Sequence, residues 1–200
     1  MLHTFDEIVV TYMPEQLAAW KQGDKSLMPG FVEKRAIVEN QPSYHFGEAF
    51  VLDHFHRMEG WLGFPDYMLM PEVEPNIARH YRGRRMLEQI APAVTLRALR
   101  EQRRRSLDGR KGYGEPDLFL YKPTGEMMFL EVKKQGDTVK DNQLVCLAEI
   151  RECLGCPADI VYLQESGTRR HSSTRYTVVL SPGLLPEVRR ERRGVAAEAA

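Results

Sequence analysis

Apolar residues recur along this chain in two periods, and each period predicts an element. From Tyr44, the run YHFGEAFVLDHFHRMEGWLGF carries Phe46, Phe50, Val51, Phe55 and Met58 at three- to five-residue intervals before Gly60. That spacing predicts an amphipathic helix stopped by the glycine. NIARHYRGRRMLEQIA and AVTLRALREQRRR have the same period with a basic opposite face, and Pro92 separates them into two helices. DTVKDNQLVCLAEIRECLG places Leu144, Leu147, Ala148, Ile150 and Leu154 on one face, with Asp141 as N-cap and Gly155 as stop. DLFLYK and MMFLEVK are short apolar runs joined by PTGE, whose proline and glycine are turn formers, so they predict a β-hairpin. ADIVYLQ and RYTVVLS predict two further strands.

The remaining segments carry weaker signals. Residues 1–40 mix short apolar groups with Pro14, Gly23, Pro29 and Gly30, which reads as an extension of one or two helices. FPDYMLMPEVEP is a proline-punctuated connection, SLDGRKGYGEP a glycine-rich loop, and EVRRERRGVAAEAA a frayed, charged tail. The order helix, basic helical insert, strand, strand, helix, strand, strand specifies an α/β fold with helices packed on a mixed β-sheet. The expected organisation is an N-terminal helical extension at 1–40, a core domain at 41–183 that includes a basic helical insert at 76–112, and a charged tail at 184–200.

Composition narrows the class. Two hundred residues with 42% hydrophobic and 28% charged side chains make an ordinary globular chain. No run combines a basic start with an apolar stretch, and none has the length of a membrane span, so the expectation is a soluble, intracellular protein, cytoplasmic or nucleoid-associated. Cys146, Cys153 and Cys156 give no even-numbered disulfide framework. CLGC is formally a CxxC, but no second ligand pair accompanies it, and the thiols read as buried or incidental. The formal net charge is zero, yet residues 76–112 hold eleven basic residues against three acidic ones, a local +8 balanced by −8 elsewhere. Such asymmetry suits a polyanionic partner.

The hairpin carries the chemistry. Opposed residues in an antiparallel hairpin have a constant index sum, and a turn centred on Thr124 and Gly125 sets that sum near 248; Asp117 and Glu131 add to 248. Their Cβ atoms are then about 5 Å apart, in an arrangement that is destabilising for like charges. Two carboxylates so placed either share a proton or take a cation between them, and a hard divalent ion such as Mg²⁺ suits carboxylate oxygens. Alternation puts Lys133 on the face of Glu131 and Val132 in the core. An ammonium there can orient or help deprotonate a water, or screen charge developing on a phosphate.

Pro116–Asp117 followed fourteen residues later by Glu131-Val132-Lys133 resembles the PD-(D/E)XK nuclease signature. More narrowly, GEPDLFLYKPTGEMMFLEVKKQGDTVKDNQLVCLAEI resembles the VRR-NUC family, which includes the Fanconi-anaemia-associated nuclease. The likeness covers about residues 113–163. It implies a restriction-endonuclease-like core and Mg²⁺- or Mn²⁺-dependent phosphodiester hydrolysis in DNA. Carried over by position, Asp117 and Glu131 are metal ligands, the Val132 carbonyl is a further ligand and Lys133 is the catalytic lysine. Gln143 matches the family's glutamine at the start of the next helix, where it would touch the water or a phosphate. These folds add an acid from an upstream helix, and Glu48 is the choice, with Glu59 as the fallback. Glu115 departs from the family pattern, which favours a small or apolar residue there, and would either repel phosphate or face solvent.

The resemblance makes the leading expectation an endonuclease selective for branched or flapped DNA, such as Holliday junctions or flaps, with a homodimer required for paired junction cuts. A restriction-type enzyme, a repair exonuclease and a catalytically inactive DNA-binding protein of the same fold are the alternatives. The insert arginines would contact phosphates. His54 and His56, two apart, cannot share a helical face as metal ligands. His171 falls in a polar hairpin tip, and Trp61 reads as core.

Overall fold

In chain order the elements are β1 (Leu2–Tyr12), α1 (Pro14–Lys21), α2 (Phe46–Glu59), β2 (Leu62–Phe64), α3 (Ile77–Ile90), α4 (Ala93–Leu107), β3 (Leu118–Tyr121), β4 (Met127–Lys134), α5 (Asp141–Leu154), β5 (Ala158–Glu165), β6 (Thr174–Val179) and β7 (Glu187–Arg192). The structure, a computed structural model, describes residues 1–28, 45–65, 67–70, 77–107, 113–168 and 172–193. Outside these lie Pro29 and Gly30, residues 108–112 with Arg110 and Lys111, His171 and the last seven residues of the tail; the side chain of Arg79 is also outside them. The strands form one mixed sheet in the order β2-β3-β4-β5-β1-β6-β7. This is an α/β fold.

The hairpin has the register its turn dictates. Leu118 faces Leu130, Phe119 faces Phe129, Leu120 faces Met128 and Tyr121 faces Met127, each pair summing to the expected index. The turn closes through Lys122 N–H to Glu126 C=O (2.9 Å) and Gly125 N–H to Lys122 C=O (2.9 Å), with Gly125 at φ +94°. From β4 the chain returns through α5 to β5, which pairs with β4 in parallel. A helix covers such a crossover, so both sheet faces are packed.

One face buries Phe5, Phe119, Phe129, Ile160, Tyr176 and Val178 against Leu144, Leu147 and Ala148 of α5 and Leu96 and Leu99 of α4. The other buries Val10, Leu118, Leu120, Leu130, Val161 and Leu163 against Phe46, Phe50, Val51, Leu52 and Phe55 of α2 and Trp20 of α1. Met58, expected on the apolar face of α2, is 71% exposed, because it lies in the last turn, past the sheet.

Three expectations are corrected. Residues 2–12 are a strand, not part of a helical extension, and β1 sits inside the sheet, parallel to β5 and antiparallel to β6. The segment is rich in β-branched and aromatic residues, and its few buried positions divide between the faces, Phe5 in the α5 cluster and Val10 in the α2 cluster, while Leu2, Ile8 and Val9 are exposed. No single period therefore marks it. The tail contributes β7, antiparallel to β6, whose charged residues suit an edge. Helix α5 is capped by Lys140, with Asp141 as its first residue, and the Gln143 side chain accepts the Lys140 N–H (3.0 Å).

The approach to Asp117 is bracketed from two sides. Gly114 has φ +60°, and a Cβ on it would lie 2.6 Å from the carbonyl of Asn142 and 2.8 Å from the Gln143 nitrogen. The start of α5 thus rests directly on the Gly114 backbone. Glu115 neither faces solvent nor crowds a phosphate site: its carboxylate accepts the N–H groups of Leu69 and Met70 (both 2.9 Å). Tyr67 donates its hydroxyl to the Pro116 carbonyl (2.7 Å).

Gly114→Ala is expected to cost about 2–4 kcal/mol, since it adds left-handed strain to backbone overlap. Thermal unfolding would show it as a Tm lowered by roughly 5–15 °C. Glu115→Ala leaves two backbone donors without their acceptor and should cost about 2–4 kcal/mol in urea denaturation, with the m-value unchanged.

Candidate active site

Asp117 ends the approach just before β3, and Glu131 stands in the middle of β4, one position beyond the last paired residues of the hairpin. The side chains of Glu131 and Lys133 share the α5 face, while Val132 packs with the cluster on the α2 face. Asp117 Oδ2 accepts the Val132 N–H (2.8 Å), which binds it to the strand that carries its partner carboxylate. Lys133 Nζ and Gln143 Nε2 both donate to Glu131 Oε1. Because Gln143 Oε1 is engaged by the Lys140 N–H, its amide nitrogen must face Glu131. The helix start therefore sets the orientation of this carboxylate.

Glu131 is fully buried, and its Oε2 has no hydrogen-bond partner among the described residues. Burial pushes the Glu131 carboxyl up to about 8, and the Asp117 charge pushes in the same direction against the opposing Lys133. Burial also raises Asp117, and the charge of Glu48 adds to it, while the Val132 N–H and Lys133 work the other way. A buried carboxylate oxygen without a donor, beside a second raised carboxyl, fits a cation. The donor set fits a hard ion: carboxylate oxygens at the end of a hairpin, with no thiolate or imidazole.

Glu48 stands in the first turn of α2 and accepts from His45 Nδ1 (3.1 Å). His45 holds a left-handed conformation, φ 63°, that turns its ring onto this carboxylate. Burial pushes Glu48 up, but the His45 bond, its own backbone amide and the charges of His45 and Lys134 outweigh it, leaving the carboxyl below its ordinary value. Its charge reaches Asp117, yet among the described residues no three His, Cys, Asp or Glu side chains gather as a ready-made metal cluster. The close pair is Asp117 and Glu131. Glu59 instead accepts the Trp61 indole N–H (3.0 Å), at the far end of α2.

Other candidates fall away from the site. His56 Nδ1 contacts the Trp61 carbonyl (2.9 Å), and His54 lies edge-on to Phe55. Burial pushes the Cys153 thiol up to about 11, Cys156 to about 12 and buried Cys146 higher still, the opposite of a reactive thiolate. The insert arginines divide. Arg84 and Arg100 flank Glu88 (3.1 and 3.0 Å), and Arg103, 1% exposed, pairs with buried Glu149 (3.0 Å), so Arg103 cannot face DNA as expected. Arg82, Arg85, Arg97, Arg104 and Arg105 are exposed. His45, and the structural roles of Glu115 and Arg103, went unrecognised from sequence. For Arg103 a signal existed: it stands on the apolar stripe of Leu96, Leu99 and Leu107.

No helix among the described residues is long and apolar enough to cross a membrane. The VRR-NUC domain model matches residues 72–164. Two solved structures are similar to part of the chain. One is paFAN1 bound to 1nt 5′flap DNA with gap, at 34% identity over 43% of this chain and 16% of that chain, with a TM-score of 0.35. The other is paFAN1 bound to 2nt 5′flap DNA with gap, at 34% identity over 44% of this chain and 16% of that chain, with a TM-score of 0.34. The chain thus matches about one sixth of the length of paFAN1. No curated protein matches it. Glu48 and strands β1, β6 and β7 lie outside the matched residues, whereas Asp117, Glu131, Val132, Lys133 and Gln143 lie within them. Residues 72–164 of this chain are thus similar to a VRR-NUC domain.

Proposed function

We propose that the chain is a divalent-metal-dependent DNA nuclease that hydrolyses phosphodiester bonds in branched or flapped DNA. The observation that carries this reading is the buried, donorless oxygen of Glu131 beside Asp117, with Lys133 on the same face. Asp117, Glu131 and the Val132 carbonyl would hold Mg²⁺ or Mn²⁺, with Glu48 approaching from α2. Bound there, the ion would polarise the scissile phosphate and acidify its water.

The chain's own residues do the rest. Gln143 and Lys133 together engage one oxygen of Glu131 and leave the other for the ion. Lys133, 12% exposed, keeps its ammonium at the edge of the site, where it can orient the attacking water or offset charge that develops on the phosphate. His45 holds Glu48 ionised and aimed. The positive end of α5 points toward the carboxylates and favours anionic groups there. The exposed arginines of α3 and α4 offer phosphate contacts that give affinity without reading sequence. The preference for branched DNA follows the likeness to the VRR-NUC domain.

With Mn²⁺ or Mg²⁺ and labelled flap, junction and linear duplex substrates, the wild type should cleave a branched substrate fastest. Lys133→Ala and Glu131→Gln should each lower the single-turnover rate by about 10²–10⁴-fold with DNA affinity unchanged. Equal cleavage by wild type and Lys133→Ala would sink the assignment; DNA binding without cleavage by the wild type would favour an inactive binding protein.

The ion can be tested without DNA. Mn²⁺ at about a hundred times its Kd should stabilise the wild type by about 2.7 kcal/mol, a Tm rise of roughly 5–10 °C. Asp117→Asn and Glu131→Gln should abolish that rise, and a chelator should reverse it in the wild type.

A further inference from the structure

Arg103 shares the buried face of α4 with Leu96, Leu99 and Leu107, and its charge is spent wholly inside the molecule. Nε donates to the Tyr113 carbonyl (2.8 Å), Nη2 to the Asn142 carbonyl (2.7 Å) and Nη1 to Glu149 Oε2 (3.0 Å). Ser106 on the same helix donates to the other oxygen of Glu149. The two carbonyls are informative. Tyr113 immediately precedes Gly114, the glycine on which the start of α5 rests, and three residues later comes Pro116–Asp117. Asn142 immediately precedes Gln143, the residue that orients Glu131. One guanidinium therefore joins the two segments that deliver the two carboxylates.

A neighbouring contact acts in the same direction. Arg100, three residues earlier on α4, donates to the Leu69 carbonyl (2.7 Å), whose own N–H is held by Glu115. The planar guanidinium suits this task, because its rigid fork spreads its donors over three nitrogens and so reaches acceptors set apart in one plane, whereas an ammonium offers its donors from a single nitrogen. A buried ion pair is also a poor way to gain stability alone, since apolar residues of similar volume serve as well or better.

We propose that Arg103 is a positioning residue for the carboxylate pair: by tying Tyr113 to Asn142 it fixes the spacing between the approach to Asp117 and the amide of Gln143 that presents Glu131. The catalytic consequence rests on the reading of this pair as a nuclease metal site. The positioning itself does not, and the two are tested separately.

Three variants separate positioning from folding. Arg103→Met combined with Glu149→Met fills the core without a charge, Arg103→Lys keeps the charge and loses the fork, and Leu99→Ala removes packing from the same helix without touching the guanidinium. Without metal, NMR reads amide exchange at Val132, whose N–H is held by Asp117, and the side-chain amide resonances of Gln143. The double variant should stay folded, exchange the Val132 amide about 10-fold faster and shift the Gln143 resonances. With Mn²⁺ and a flap substrate, its single-turnover rate should fall by about 10–100-fold while half-saturation by DNA stays unchanged. Arg103→Lys should match the double variant; Leu99→Ala should melt lower yet keep the wild-type rate and resonances. Should the double variant not fold, the same readings on Arg103→Lys decide. Wild-type Val132 exchange and Gln143 resonances in a folded Arg103 variant would overturn the inference. If the wild type shows no metal-dependent cleavage, the nuclease reading fails while the metal-free measurements still judge Arg103.

Discussion

The hairpin register forces Asp117 and Glu131 together where the pairing of β3 with β4 ends, and the surrounding structure is an answer to that enforced repulsion. Glu131 has lost all contact with water, so its charge must be met by the protein or by an ion. The protein meets half of it. Lys133 and Gln143 donate to one oxygen, and the Val132 amide donates to Asp117, while the second oxygen of Glu131 receives nothing. Every donor comes from β4 itself or from the first turn of α5, so the geometry of the carboxylates is only as good as the joint between those two elements.

That joint explains features that are otherwise unrelated. Gly114 lets α5 approach, Glu115 and Tyr67 hold the incoming segment, and the insert helices supply two arginines from the other side. The insert therefore has two faces with different duties. Its inner face builds the core against α5, and its outer face carries the exposed arginines.

The local periods in the sequence were sufficient for α2 to α5, the hairpin and its register, and hence for the meeting of Asp117 and Glu131. They were sufficient because each of these depends on residues a few positions apart: a helix face, a proline and glycine turn, an alternating strand. What escaped depends on partners far along the chain. β1 and β7 carry no one-sided pattern: the few buried positions of the first divide between its two faces, and the second is an edge of charged residues. Glu115 looked misplaced because its acceptors' partners, the amides of Leu69 and Met70, are more than forty residues upstream. Arg103 and Glu149 each interrupt an apolar stripe, a local sign that two buried charges require one another, but the sequence did not say which two.

The placement of β1 has a consequence for how the chain comes to be folded. Its neighbours are β5 and β6, so Glu7 pairs with Ile160 and Phe5 with Tyr176. At about 5–20 residues per second, a ribosome finishes these partners roughly ten to thirty seconds after β1 emerges. Throughout that interval the strand that will occupy the middle of the sheet has both edges open, and the hairpin, α5 and β5 can collapse only into a partial sheet. Completion waits for the first strand to insert between two of the last. Nascent chains should then be most vulnerable to aggregation, and most dependent on holding chaperones, during synthesis of the stretch between β1 and β6 itself.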